Sequence, residues 1–403
     1  MATAAAAVAN DRDDLYDEDK LSRLHKNALK VLKHIRESAV DERTGQKSAP
    51  TYQISKAAQL VGRSASAIRE AEKDGRLPPR ERTGSGYRVG YSLEDLDRMR
   101  EVFGTRPWRD PADPPAIISV SNFKGGVGKS TTAVHLAQYL AIKGYRVLLV
   151  DCDSQASTTM MFGYIPDIDL QDADTFYGYI QDPPLDGLRS IIRPTYFHNL
   201  HLIPTNLKLY NLEWEMAAYM ATRENGFEII DFLGNHLSAV AQDYDVIILD
   251  PPPALGMMSL GVMQAANALL IPMPPSLVDF ASTTSFLDMT TTTIAALQKV
   301  TGKRPVYNFV KVVGSKVDDG KSMHREILEL TRGLFGEDTM LRATLKSSAE
   351  IDNASSRMRT VYELERPVTS YEVHNRCISY LNAVNDEIEQ EILKTWPSKA
   401  EAL

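Results

Sequence analysis

The feature that most constrains this chain is the stretch "AIISVSNFKGGVGKSTTAVHLAQYLAIKG", residues 116–144. A short apolar run rich in β-branched residues leads into a glycine loop. Apolar residues at helical spacing then run to a glycine stop at Gly144. Strand, glycine loop and helix in that order make a phosphate-binding loop. Gly125, Gly126 and Gly128, with Val127 between them, permit backbone angles that other residues resist and let amide groups close around phosphate. The helix starting near Lys129 turns its positive dipole end to the same point. Lys129 can reach the β and γ phosphates of ATP, the Ser130 hydroxyl can ligate Mg2+, and Thr131 can add a hydroxyl at the α phosphate. A second lysine, Lys124, stands at the front of the loop, where phosphate binding alone does not require one.

The rest of the chain is read around that loop. At 403 residues it suggests two or three domains. From residue 116 to 403, apolar runs alternate with helical patterns, which predicts an α/β domain with a mostly parallel sheet and flanking helices. "RVLLVDCDSQAS" puts Asp151 and Asp153 at the end of one strand, and "YDVIILDPPPALG" puts Asp250 at the end of another. Such strand ends are where parallel sheets bind ligands. One carboxylate is needed near Mg2+ and one to position an attacking water. Only two cysteines occur, Cys152 and Cys377, far apart in sequence, which argues against disulfides or a zinc site and fits a reducing cytoplasm. No apolar run reaches the ~20 residues of a membrane span, and the first residues show no signal peptide. With a net charge of -8, any nucleic-acid site must be a local patch.

Residues 1–49 read as a disordered start followed by a helix over Glu18–Glu37. Its apolar stripe is Leu21, Leu24, Ala28, Val31, Leu32 and Ile35. That stripe can pack on its own domain or pair with a second subunit. Within 50–104, "ISKAAQLVGRSASAIREAEKDGRL" reads as helix, short turn at Val61-Gly62-Arg63, and a second helix from Ser64. A glycine-rich hairpin and a third helix follow. This unit resembles the winged helix-turn-helix of MerR-type regulators. The resemblance gives a recognition helix with Ser64, Ser66, Arg69 and Lys73, and a wing with Arg82, Tyr87 and Arg88. Residues 60–90 carry seven Lys or Arg against four Asp or Glu, a local basic excess on an acidic chain, which favours DNA reading over a fold used only for protein contact. "TRPWRDPADPP", residues 105–115, holds four prolines and reads as a linker.

The three α/β motifs together resemble the deviant Walker A ATPases, the group containing ParA and MinD. In that group an early lysine is the signature: it crosses a nucleotide-sandwich homodimer to the phosphates held by the other subunit. The resemblance assigns this role to Lys124, the Walker A lysine to Lys129, the Mg2+ ligand to Ser130 and water orientation to Asp153, with Asp151 and Asp250 supporting Mg2+ and its waters. A helix-turn-helix placed before such an ATPase is similar to the long partition ATPases of plasmids, including the repABC type. That implies weak, partner-stimulated ATP hydrolysis in DNA segregation and a ParB-type centromere-binding partner. It also implies nonspecific DNA binding by the ATP-bound dimer on the nucleoid, and repression of its own operon through operator DNA. Lys346, Arg357 and Arg359 are the loose matches to the family's nonspecific DNA contacts. The acidic tail lacks the basic amphipathic face of a membrane anchor. The main alternative is a nucleotide-sensing transcription regulator with no transport role. A nitrogenase-iron-protein relative is disfavoured by the cysteine positions, and a dinucleotide oxidoreductase by the lysine and serine on the loop.

Overall fold

The computed structural model describes residues 17–40, 47–82, 84, 88–222 and 230–400. Tyr87 of the expected wing and the expected disordered start before residue 17 lie outside them.

Among these residues seven strands form one sheet: β1 Ala116–Val120, β2 Val147–Asp151, β3 Arg193–Pro194, β4 Leu200–Ile203, β5 Val246–Asp250, β6 Ala268–Met273 and β7 Phe309–Gly314. Their order is β3-β4-β2-β5-β1-β6-β7, and only β3 runs antiparallel to its neighbour. β2, β5 and β6 are buried at every position, so their sequences are continuous apolar runs; both faces of the sheet are covered by helices. The register of β2 on β5 sets Asp151 directly beside Asp250 at the carboxyl edge. β1, between β5 and β6, delivers the glycine loop to that edge.

The helix after the loop, Lys129–Lys143, is buried nearly all round. Its sequence is accordingly apolar on every face rather than striped. It lies against the sheet on one side and the long C-terminal helix Tyr371–Lys394 on the other. Gly144 ends it at φ +103, and a Cβ there would strike the Arg100 guanidinium at 2.6 Å, so the site needs glycine twice over.

The N-terminal unit has helices Ile54–Val61, Ala65–Lys73 and Leu93–Phe103. Gly62, left-handed at φ +71, closes the first, and the Ser64 hydroxyl caps the second through Ala67 N. An isolated antiparallel bridge pairs Arg82 with Arg88 where the wing was expected. Ile68, Ala71, Leu96 and Met99 belong to the same apolar cluster as Leu136, Leu140 and Ile392 of the α/β core. The proline-rich segment 105–115 is fastened down. Arg109 is 4% exposed and donates to Tyr244 O (3.0 Å) and Asp113 O (2.6 Å), and Trp108 Nε1 donates to Gly144 O (2.9 Å). Trp396 Nε1 donates to Pro114 O at 3.1 Å.

The first described helix runs Asp17–Ala39, slightly beyond the expected span. Leu32, Ile35 and Ala39 pack against Ile165 and Met358, and Arg36 pairs with Asp169 at 3.1 Å. Leu21 and Leu24, further towards the N-terminus, stay exposed. The stripe is therefore divided: one half docks on the chain itself and the other faces outward.

Candidate nucleotide site

The glycine loop, residues just beyond β2 and β5 (Asp153, Gln155 and Pro253) and a C-terminal wall line a cavity of about 650 Å³. Gly126 (φ +73) and Gly128 (φ +96) take the left-handed conformation that lets the loop curl. Lys129 is 6% exposed, and among the described residues its ammonium donates only to Lys124 O, at 3.4 Å. Burial lowers its pKa, opposed by the charges of Asp250 and Asp153. Ser130 and Thr131 line the cavity above it. Lys124 points elsewhere: its ammonium lies 2.6 Å from Asp279 Oδ1, at the start of the helix Leu277–Thr301, where Ser276 caps the Asp279 amide.

The three aspartates are not equivalent. Asp151 is fully buried, with Oδ2 accepting from Thr159 N (2.8 Å) and Thr159 Oγ1 (2.6 Å) and Oδ1 from Asp153 N (3.2 Å). Both its oxygens are engaged by the protein. Asp250 Oδ2 accepts from Thr158 Oγ1 at 2.8 Å, but Oδ1 is buried with no hydrogen-bond partner among the described residues. Burial, and for Asp151 the charge of Asp250 beside it, raise the pKa of both; the Thr158 and Ser130 hydroxyls oppose the rise at Asp250. An orphaned buried carboxylate oxygen next to a serine hydroxyl suits a hard cation with oxygen ligands. Asp153 accepts Gln155 N at 3.0 Å and leads into Ala156, a non-glycine residue at φ +54 that turns the chain into the helix Ser157–Met161.

Sequence reasoning missed the opposite wall. Ser315, Lys316, Ser347, Asp352, Met358 and Asn385 line the cavity, although they lie about 180 residues or more beyond the loop in sequence. Ser315 Oγ donates to Val127 O of the loop at 2.8 Å. His135 also went unnoticed. It is buried, with Nδ1 donating to Thr131 O (2.7 Å) and Nε2 accepting from Val361 N (3.3 Å), so it ties the phosphate-loop helix to the turn Val361–Glu363. No local pattern marks these residues, because their meeting is a product of chain topology.

The expected DNA contacts divide. Arg69 and Lys73 are exposed on the second helix of the N-terminal unit. Ser64 is occupied as its cap and shares a 2.9 Å hydrogen bond with Ser66. Arg88 is paired with Glu72 of that same helix, and Arg82 shares an isolated bridge with Arg88. At the C-terminal end the three basic residues do not form one face. Lys346 lines the nucleotide cavity and pairs with Asp319 at 2.5 Å, Arg357 is exposed, and Arg359 donates to Ala39 O at 3.0 Å.

A family model described as an AAA domain matches residues 115–302. The chain is 33% identical over 362 residues to the "Putative replication protein A" of Rhizobium rhizogenes, covering 87% of this chain and 89% of that one. It is 35% identical over 327 residues to "Protein SopA" of Escherichia coli strain K12, covering 80% and 83%. A solved structure described as "Partition Protein" superposes with a TM-score of 0.63 at 21% identity, over 93% of this chain and 99% of that one. Among the described residues no helix is long and apolar enough to cross a membrane. Phosphate loop, paired strand-end aspartates, parallel sheet and these relatives agree: the chain belongs to the ParA-type partition ATPases, which use ATP and Mg2+.

Proposed function

We propose that this protein is a DNA-partition ATPase that works as an ATP-driven homodimer. The observation that carries the proposal is the division of labour between two lysines of one loop. Lys129 is buried inside the cavity, whereas Lys124 is turned away from it and held by Asp279 at 2.6 Å. A lysine that serves its own phosphates has no reason to be parked outside. One that crosses to a facing subunit offsets the repulsion between two nucleotides brought together. Asp250 and Ser130 would hold Mg2+, which when bound neutralises charge on the β and γ phosphates. Asp151 keeps the Thr159 amide and hydroxyl, and through them the loop 152–158, in place. Asp153, at the open edge, orients the attacking water.

The wider reading follows the family. The ATP-bound dimer binds nonspecific DNA on the nucleoid, a ParB-type partner stimulates hydrolysis, and the N-terminal unit, acting as a winged helix-turn-helix over 50–104, represses the operon through Arg69 and Lys73. Of Lys346, Arg357 and Arg359, Arg357 is the one exposed for nonspecific contact. The contact of Arg100 with the end of the phosphate-loop helix supports the nucleotide-sensing part of the alternative, a regulator whose operator binding follows the nucleotide state. Sedimentation velocity with ATP tests the central claim. Lys124→Ala should bind ATP within about threefold of wild type yet remain a monomer, an outcome specific to a crossing lysine. Normal dimerisation of that variant would remove the cross-subunit role.

A further inference from the structure

We infer that Lys316 is a third nucleotide-binding lysine, acting on the phosphate chain from the wall opposite the strand-end aspartates; the inference rests on the cavity being the ATP site. Lys316 follows β7 and lines the cavity. Its backbone is left-handed at φ +52. For a residue that carries a Cβ this conformation costs on the order of 1 kcal/mol, which glycine would avoid. The neighbours fix it there. Ser315 N donates to Met273 O (3.0 Å), Ser315 Oγ to the phosphate loop, and Val317 N to Leu345 O (3.0 Å). The chain is pinned on both sides of an exposed residue that lines the cavity.

Charge inside the cavity supplies the reason. Asp153 and Asp352 line it, and Asp250 lies close enough to Lys129 to oppose the fall in its pKa. Of the lysines that line it, Lys346 is committed to Asp319 and Lys129 sits on Lys124 O. Among the described residues Lys316 has no ion pair and no hydrogen bond, so its ammonium is the one uncommitted cation on the wall. A polyphosphate entering a chamber with that many carboxylates gains from each cation within a few ångströms. A lysine that lines such a chamber in a costly conformation, with its ammonium uncommitted, matches strain kept for binding rather than for stability.

The test uses the full-length chain, with equilibrium binding of ATP, ADP and adenosine in Mg2+ and thermal unfolding without nucleotide. Lys316→Gly removes the ammonium and relieves the backbone together. The expected result is a roughly tenfold weaker Kd for ATP and ADP, unchanged adenosine binding, and an unliganded melting temperature equal to or above wild type, with Lys316→Arg restoring affinity to within about threefold. A residue that only shapes the loop predicts the reverse: a change in melting temperature with nucleotide affinity intact. ATP binding by Lys316→Gly equal to that of wild type would overturn the inference while leaving the ATP site itself standing. An equal loss for adenosine would also overturn it, by moving the contact to the base. Wild-type protein that binds no ATP, tested against Lys129→Ala, would instead remove the site on which the inference depends.

Discussion

At the N-terminal end of the helix Lys129–Lys143, among the described residues Lys129 reaches only a carbonyl 3.4 Å away, and the nearby Asp250 Oδ1 is buried with no partner. At its C-terminal end, Gly144 N closes on Leu140 O and Ala141 O, Arg100 Nη2 donates to Ile142 O at 2.6 Å, and Trp108 Nε1 takes Gly144 O. Arg106 and Arg146 flank the Trp108 ring at 4.4 and 4.5 Å. One end keeps polar groups open for a ligand that comes and goes. The other has them satisfied by protein, as a permanent internal joint must. Helix-end carbonyls carry partial negative charge, and a buried guanidinium answers it with several donors in one plane. The contrast separates a site from an interface more reliably than counts of basic residues do.

Four experiments bear on that contrast. The largest effect is expected at the open end. Lys129→Ala removes the buried cation facing the β and γ phosphates and should weaken ATP binding on the order of a thousandfold, about 4 kcal/mol, by calorimetry. It should leave the melting temperature of the unliganded chain nearly unchanged. A large loss of stability would mean that the open end is structural too.

At the closed end, Arg100→Ala should cost roughly 3–4 kcal/mol in urea denaturation, because it leaves Ile142 O without its donor and empties volume between Leu60 and the helix end. ATP affinity of the folded fraction should change little. Equal damage to both would show that the two ends are coupled tightly, which is what the regulator reading requires. The same contacts bear on a chain begun at Pro114. It loses the cover over Leu136 and Leu140 supplied by Ile68, Leu96 and Met99. Its midpoint in urea should therefore fall below that of the full chain.

Between the ends lies His135, whose pKa burial pushes down to about 4, opposed by the Thr131 carbonyl. Its folded value lies below the unfolded one of about 6.5, so as pH falls the unfolded chain takes up the proton first. Stability should therefore decline from pH 6.5 to pH 4 by about 3 kcal/mol on this account. His135→Gln should flatten the slope in that window, measured by denaturant midpoints at each pH. An unchanged slope would place the acid sensitivity elsewhere.

The smallest effect concerns Arg69. Its replacement by Ala should weaken operator binding by on the order of 10–100-fold while random DNA changes far less, measured by anisotropy at one salt concentration. Equal losses on both would make it a phosphate contact.

Much of this molecule is legible in its sequence because the signals are local. Gly126 and Gly128 announce their positive φ, β2 and β5 announce burial on both faces by unbroken apolar runs, and Ser64 and Gly62 punctuate the helices of the N-terminal unit. Family resemblance singled out Lys124, but its contact with Asp279, 155 positions on, is fixed only when β6 and the helix Leu277–Thr301 fold alongside β1. The same holds for Asp151 and Asp250. Each reads as a strand-end acid, and only their hydrogen-bond surroundings show that Asp151 is engaged by Thr159 while Asp250 has an oxygen to spare. The proline-rich segment 105–115 looks like a tether by composition, yet a buried Arg109 and the Arg146 guanidinium over the Trp108 ring bind it to the core. Backbone preference and hydrophobic period are properties of a few consecutive residues, so the sequence by itself determined the loop, the sheet and the helix starts. Charge pairing, burial and cavity lining depend on which distant segments meet, so the direction of Lys124, the joint at Arg100 and the wall bearing Lys316 were decided only by the tertiary structure.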